Sequence, residues 1–573
     1  MKAVRITTVF VALAILAVGT VRAAGVTESD EAKGAIAVTS SHQLATQAGI
    51  DILEAGGTAA DAAFTVAAVL TVVEPWFSSV LGGGTWALHF DAASGSVESL
   101  DGVGPIGSLA TPEDYARRGG EAGMHQAVVP GAWGGWMVWL EKHGSMDLPD
   151  LLEPAIRIAR DGYRIGGTMA SWMSRNAERI EANPATRTMY MPNGSIAGAG
   201  DTVILDDLAR TFEALAAVYN ENSSSGRSEG FRAADDFFYR GPLAERIVAQ
   251  SEAEGGYLTL EDFTSFHSDG FVEPLSIRYR GMDVYQNPPN SQGITMLIAL
   301  NILNRFALSE FEFGDADATH LQIEAIKLAF AARHYHIGDP AFVDVPVRRL
   351  LSDAYADQAA AAIRMDHAQT WPMPNLIGRL PDDAHTTTFH AVDSAGNAAA
   401  VTTSLGAQFL VIGDTGIHIN NRMRMTGVEA DDPNRIEPGK KVRHTSNPYM
   451  ALRDGVPVIL GGNTGADIQP QGQVQQFISV VEFGQSPQEA VSNPRFVVQS
   501  FPAGRFPYDV QNNLVMEEGF SVELIDELTA RGHTISVGGG FGSANMIVVN
   551  PASGTIVTGA DPRMSDSKGT VRK

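Results

Sequence analysis

The chain has 573 residues, 44% hydrophobic and 19% charged, so it can bury a large core and is not a disordered segment. Its formal charge of −25 argues against nucleic acid as a partner and favours solubility. It contains no cysteine, which removes disulfides, thiol nucleophiles and cysteine-based zinc sites together.

At the N-terminus Lys2 and Arg5 precede a short apolar run, Val9 to Val18, and Val21 to Ala23 offers small residues for cleavage. Residues 1–23 therefore read as a signal peptide, too short for a good membrane span. An exported, periplasmic protein without stable membrane insertion is expected. The mature part opens on a strand and an Ala-rich helix from about Gln43 to Leu53, closed by Gly56 and Gly57. A second helix follows from Ala59 to about Val72, stopped before Pro75. Leu81 to Ala92 gives a glycine turn and a strand, and the triple glycine lacks the Lys-Ser/Thr of a phosphate loop. Val128 to Ile165 reads as two helices about a turn, with Trp133, Trp136 and Trp139 spaced for a helical core face.

Further on, the polar, Ser-rich stretch Asn220 to Gly230 is expected to be a surface loop. Within Ala318 to Pro346 a helix carries an apolar stripe at Leu321, Ala325, Leu328, Ala329 and Ala332. His334 and His336 fall on different faces of it and are expected at the surface, with no carboxylate to complete a zinc motif. No metal or organic cofactor is implied.

The stretch Asp382 to Gly406 reads as a β-hairpin, with strands Thr387–Asp393 and Ala398–Leu405 around the turn Ser394–Asn397. Pairing Asp393 with Ala398 sets Thr387 opposite Ser404, with Thr386 a residue away. Opposed side chains lie roughly 5 Å apart, so two hydroxyls can share one site. The Pro-rich segment Trp371 to His385 runs straight into this Thr-started strand. That pattern suggests a chain that cuts itself and frees an N-terminal threonine.

The hairpin, as "TTTFHAVD" then "SAGN", resembles the start of the small subunit of γ-glutamyltransferases, with Thr388 and His390 replacing the usual His and Ser. The resemblance extends over residues 34–565. It implies an α/β N-terminal-nucleophile (Ntn) hydrolase: a four-layer αββα sandwich formed jointly by a large subunit, 24–385, and a small subunit, 386–573. It further implies Thr386 as nucleophile, Ser404 as its hydrogen-bond partner, and the Gly465 and Ala466 N–H groups as oxyanion hole. Ala466 serves as well as glycine there unless its φ must be positive.

The same resemblance locates the family's glutamate-reading groups on Val103, Gly406, Arg422, Met425, His444 and Thr445, none of which keeps the family's side chain. Arg422, Arg424, Arg443 and His444 then suggest an anion site for an acidic acyl group without an α-amine. The expected partner is a small-molecule amide. Three readings follow: an amidohydrolase of acidic acyl amides, a true γ-glutamyl hydrolase or transferase, and an uncut, non-catalytic binding protein.

Overall fold

The computed structural model describes residues 36–120, 122–371, 386–406, 408–504, 508 and 510–573, with the backbone of 31–32. The leader at 1–23 and His385 lie outside the described residues.

Side-chain alternation along the strands separates the three cores that flank the sheets. In strand Thr386–Val392, Phe389 and Ala391 face a helical layer, while Val392 faces a second sheet. In strand Tyr449–Arg453 of that second sheet, Tyr449 and Ala451 face another set of helices, and Met450 and Leu452 face back. Two sheets thus pack face to face, each with helices on its outer side.

The first sheet runs Lys568–Arg572, Ile36–Ser40, Thr386–Val392, Ala398–Ser404, Gly84–Asp91, Ser96–Gly102, Gly270–Val272. The second runs Glu31–Ala32, Thr555–Ala560, Ala544–Asn550, Val456–Asn463, Tyr449–Arg453, Met282–Gln286, Leu275–Tyr279. Every pairing in both is antiparallel.

Helix Ala59–Val73 is buried on every side, as expected for a helix apolar all round. Thr58 and Asp61 start it with a capping box, and the Asp393 carboxylate of the hairpin loop accepts from Ala59 N at 2.9 Å. Trp133, Trp136 and Trp139 are buried in helix Ala132–His143, as their spacing predicts.

Three expectations change. The hairpin register is Val392 opposite Ala398, which sets Thr386 itself opposite Ser404. The cause is Asp393, whose carboxylate binds the loop N–H groups of Ala395 and Asn397 and so belongs to the loop. The stretch 220–230 is mostly helical: Asp206–Asn222 ends there, a 3₁₀ turn follows, and Arg227–Tyr239 begins. Helix Ala316–His336 is buried nearly all round, Glu324, Lys327 and Arg333 included, so it has no simple solvent face.

Candidate active site

Thr386 begins its strand, and its side chain falls on the face turned to the second sheet. The Thr386 Oγ1 lies 3.1 Å from Ser404 Oγ, and either oxygen can donate. Gln469 Nε2 donates to the same Thr386 Oγ1 at 3.0 Å. Behind them, Arg422 Nη1 donates to Ser404 Oγ at 2.9 Å and Nη2 to Asn421 Oδ1 at 2.7 Å. An arginine can only donate, so it fixes one lone pair of Ser404. Burial, reinforced by Arg424, lowers the Arg422 guanidinium to about 9, which leaves it charged at neutral pH.

The register just described makes this meeting possible. Thr386 and Ser404 are directly opposed, and Gln469 stands in the first turn of helix Ile468–Val481. Sequence reasoning missed Gln469, although it follows the glycine loop closely. Gly406 also gains a meaning. Its φ is +84°, and a Cβ there would come within 1.8 Å of Asn421 Oδ1 and 2.5 Å of Arg422 Nη2. It is the bare backbone that lets Arg422 reach Ser404.

Strand Val456–Asn463 leads into the loop Thr464–Asp467, which turns into helix Ile468–Val481. The carbonyls of this loop point into the protein. Gly465 O accepts from Ile468 N at 2.7 Å, and Ala466 O from Gln292 Nε2 at 2.9 Å. Arg333 pairs with Asp467 and holds Gln292 Oε1 at 3.0 Å, which braces the turn from behind. The N–H groups of Gly465 and Ala466 have no acceptor among the described residues, and both residues line a cavity.

Ala466 sits at φ +42°, the left-handed region that the glycine-for-alanine condition above turned on. A non-glycine residue there costs about 1–2 kcal/mol. Ala466→Gly is expected to stabilise the fold by about 0.5–1 kcal/mol, the strain relieved less the extra freedom of an unfolded glycine. Urea unfolding checks this, and an unchanged or lowered midpoint removes the strain.

The cavity measures about 900 Å³ and is walled by Thr386, Thr387, Glu74, Met425, Gly465 and Ala466, with Arg175 and Arg563 among its charged residues. Of the residues expected to read the substrate, only Met425 lines it. Arg422 is wholly buried behind Ser404. Arg443 is buried with Nη1 on the carbonyls of Arg333 and Ile337. Val103, His444 and Thr445 are buried away from the cavity, and burial keeps the His444 imidazole neutral. An anion site built on Arg422, Arg424, Arg443 and His444 therefore does not face this cavity. They are interior groups of the loops beneath it.

His390 is buried and neutral, lowered to about 3 by desolvation, and its Nε2 donates to Asn545 O at 3.0 Å. His336 is exposed as expected, whereas His334 is half-buried against Trp371 and Tyr508. Among the described residues one cluster has metal-ligand types: His320, Glu324 and His533. There Lys327 already occupies Glu324 and the two imidazoles bond each other at 2.8 Å, an arrangement that satisfies itself.

Comparison with known proteins places the chain in a family. The gamma-glutamyltranspeptidase family model matches residues 45–571. The "Glutathione hydrolase-like YwrD proenzyme" of Bacillus subtilis is 34% identical over 92% of this chain and 96% of its own length. The "Oxamate amidohydrolase proenzyme" of Klebsiella pneumoniae is 30% identical over 91% and 96%. The crystal structure of a cephalosporin acylase from Bacillus halodurans superposes with a TM-score of 0.83 at 30% identity, covering 98% of this chain and all of that one. The molecule is thus an enzyme of the Ntn-hydrolase class with a mixed α/β fold. It belongs to the gamma-glutamyltranspeptidase family.

Proposed function

We propose that the chain is an exported precursor that cuts itself at His385–Thr386 and then hydrolyses an amide with an acidic acyl group. In the precursor the Thr386 hydroxyl adds to the carbonyl of residue 385. The peptide C–N bond breaks, an ester forms, and water hydrolyses it, leaving a carboxylate on 385 and an α-amine on Thr386. That amine, with an ordinary pKa near ~8, can take the Thr386 Oγ proton. The oxygen adds to the substrate carbonyl, and the oxyanion falls to the free N–H groups of Gly465 and Ala466. The leaving amine departs with the proton, and water resolves the acyl-enzyme. Gln469 and Ser404 can both donate to the attacking oxygen as charge builds on it. On this reading residues 24–385 and 386–573 form the helix–sheet–sheet–helix body together.

One observation carries the reading. The Thr386 hydroxyl, held from behind by Ser404 and Gln469, shares one cavity wall with Gly465 and Ala466, whose N–H groups have no acceptor among the described residues. N-terminal sequencing of the smaller fragment tests it: the sequence should begin Thr-Thr-Thr-Phe, and any other start moves the nucleophile.

Arg175 supports the acidic acyl group. It stands at the cavity beside Trp172, its guanidinium carbon 4.1 Å from the ring centroid, with no carboxylate partner among the described residues. Arg563, by contrast, is engaged by Glu517 and Asp561. Arg175→Met is expected to lower kcat/KM for glutaryl, succinyl or oxamyl amides roughly 5-fold, the scale of an exposed charge pair, and to spare neutral amides. Equal losses on both would remove Arg175 from acyl recognition. A second reading, hydrolysis of γ-glutamyl amides, is favoured by the 34% identity to a glutathione hydrolase-like proenzyme. Preference for γ-glutamyl over glutaryl amides in a parallel assay would establish it instead.

A further inference from the structure

The cavity wall holds a second group that the reaction above does not use. Glu74 caps the C-terminal end of helix Ala59–Val73, is buried, and lines the cavity with Thr386 and Thr387. Ser41 Oγ donates to Glu74 Oε2 at 2.7 Å, and Ser41 Oγ lies 2.7 Å from Thr387 Oγ1. Alternation along the strand explains the contact. Thr386 points toward the second sheet, so Thr387 points to the helical side, where Glu74 waits. The neighbouring strand Ile36–Ser40 meets the nucleophile strand only at His390 to Val392, which leaves the start of that strand open toward Ser41 and Glu74.

A buried carboxylate normally has a cation beside it. Glu74 has none among the described residues. The groups around it are Asp566 and His42, which share a small cleft with it, the Tyr163 phenol, and the cavity residues Arg175 and Arg563. Asp566 repels it, His42 is kept neutral by burial at about 4, and Arg563 is already paired. A helix C-terminus is also the wrong end of the dipole for an anion. Burial first, then Asp566, raises the Glu74 carboxyl to about 7, against the pull of the Ser41 and Thr387 hydroxyls.

Cleavage at His385–Thr386 releases one new cation in this wall, one residue from Thr387. We propose that Glu74 is the counter-ion of the Thr386 α-ammonium, completing a charge pair that exists only in the cut enzyme. This rests on the cleavage reading above. Glu74 is then a positioning residue: it orients the amine through Thr387 and Ser41 and makes it a stronger base. A carboxylate nearby stabilises the ammonium and raises its pKa.

The test is the pH profile of kcat/KM in the cut enzyme, whose acid limb follows loss of the amine's proton. Glu74→Gln removes the stabilising anion, so the limb should move to lower pH, by about one unit, with a fall in the plateau from lost orientation. Glu74→Asp should restore part of both. Ser41→Ala, which leaves Glu74 in place but raises its pKa further, should move the limb the same way by less.

A second measurement does not depend on turnover. Glu74 in the uncut chain has a raised pKa, so its ionisation penalty is absent below its ordinary value of 4.5 and complete above about 7. An uncut Thr386→Ala chain should therefore lose stability across that window, and adding Glu74→Gln should abolish the loss. In the cut enzyme the ammonium compensates, and the loss should be small without any change at Glu74. An acid limb unmoved by Glu74→Gln, in enzyme whose small fragment begins at Thr386, overturns the pairing while leaving the nucleophile assignment intact. A small fragment beginning elsewhere overturns both.

Discussion

Thr386→Ala is expected to yield one uncut chain with no measurable turnover. The substitution removes the hydroxyl that Gln469 and Ser404 both address, and without it neither the internal ester nor the acyl-enzyme can form. Loss of a covalent nucleophile costs on the order of 10⁴-fold or more. The fold should survive, because the strand keeps its pairing with Ala398–Ser404 and its neighbours. Denaturing electrophoresis separates the outcomes. Two bands from this variant would sink the assignment. Thr386→Ser, which keeps a hydroxyl beside the new amine, should still be cut and retain part of the activity.

Arg422→Met carries the next largest effect, and its pattern matters more than its size. Were Arg422 a substrate clamp, the loss would fall on acidic acyl groups and appear in KM. Its buried place behind Ser404 predicts the reverse: a fall in kcat of about 10- to 100-fold on every amide, acidic or neutral, because one charge-assisted hydrogen bond worth roughly 1.5–3 kcal/mol leaves the hydroxyl cluster. Stability should drop as well, by about 1–3 kcal/mol, since Asn421 loses its partner in the interior. A loss confined to acidic substrates would return Arg422 to the substrate.

Parts of this molecule were legible in the sequence for identifiable reasons. The hairpin announced itself through Thr and Val runs around a Gly-Asn turn, and the glycine loop through its position between a strand and a helix. The register went astray by one residue because Asp393 spends its carboxylate on loop N–H groups, a local bond that alternation does not reveal. The arginines misled for a different reason. Position along the chain locates a residue near the site, but the direction of its side chain is set by distant partners, such as the helix-end carbonyls that hold Arg443. Glu74 carried no signal at all. Its significance arises from burial without a cation, a property of the assembled wall rather than of the helix that ends on it.

The strand Ile36–Ser40 lies between Thr386–Val392 on one side and Lys568–Arg572 on the other. A strand near one end of the described residues thus waits for one near the other end before its sheet can close. The cleavage proposed above would then follow folding, because Pro562, Arg563, Met564 and Ser565 complete the cavity wall beside Thr386. Such long-range closure also slows folding and exposes unpaired edges meanwhile. Once closed, each sheet contains strands from before and after residue 386. On the proposed cleavage the two pieces would be interleaved, so neither could leave without dismantling the other.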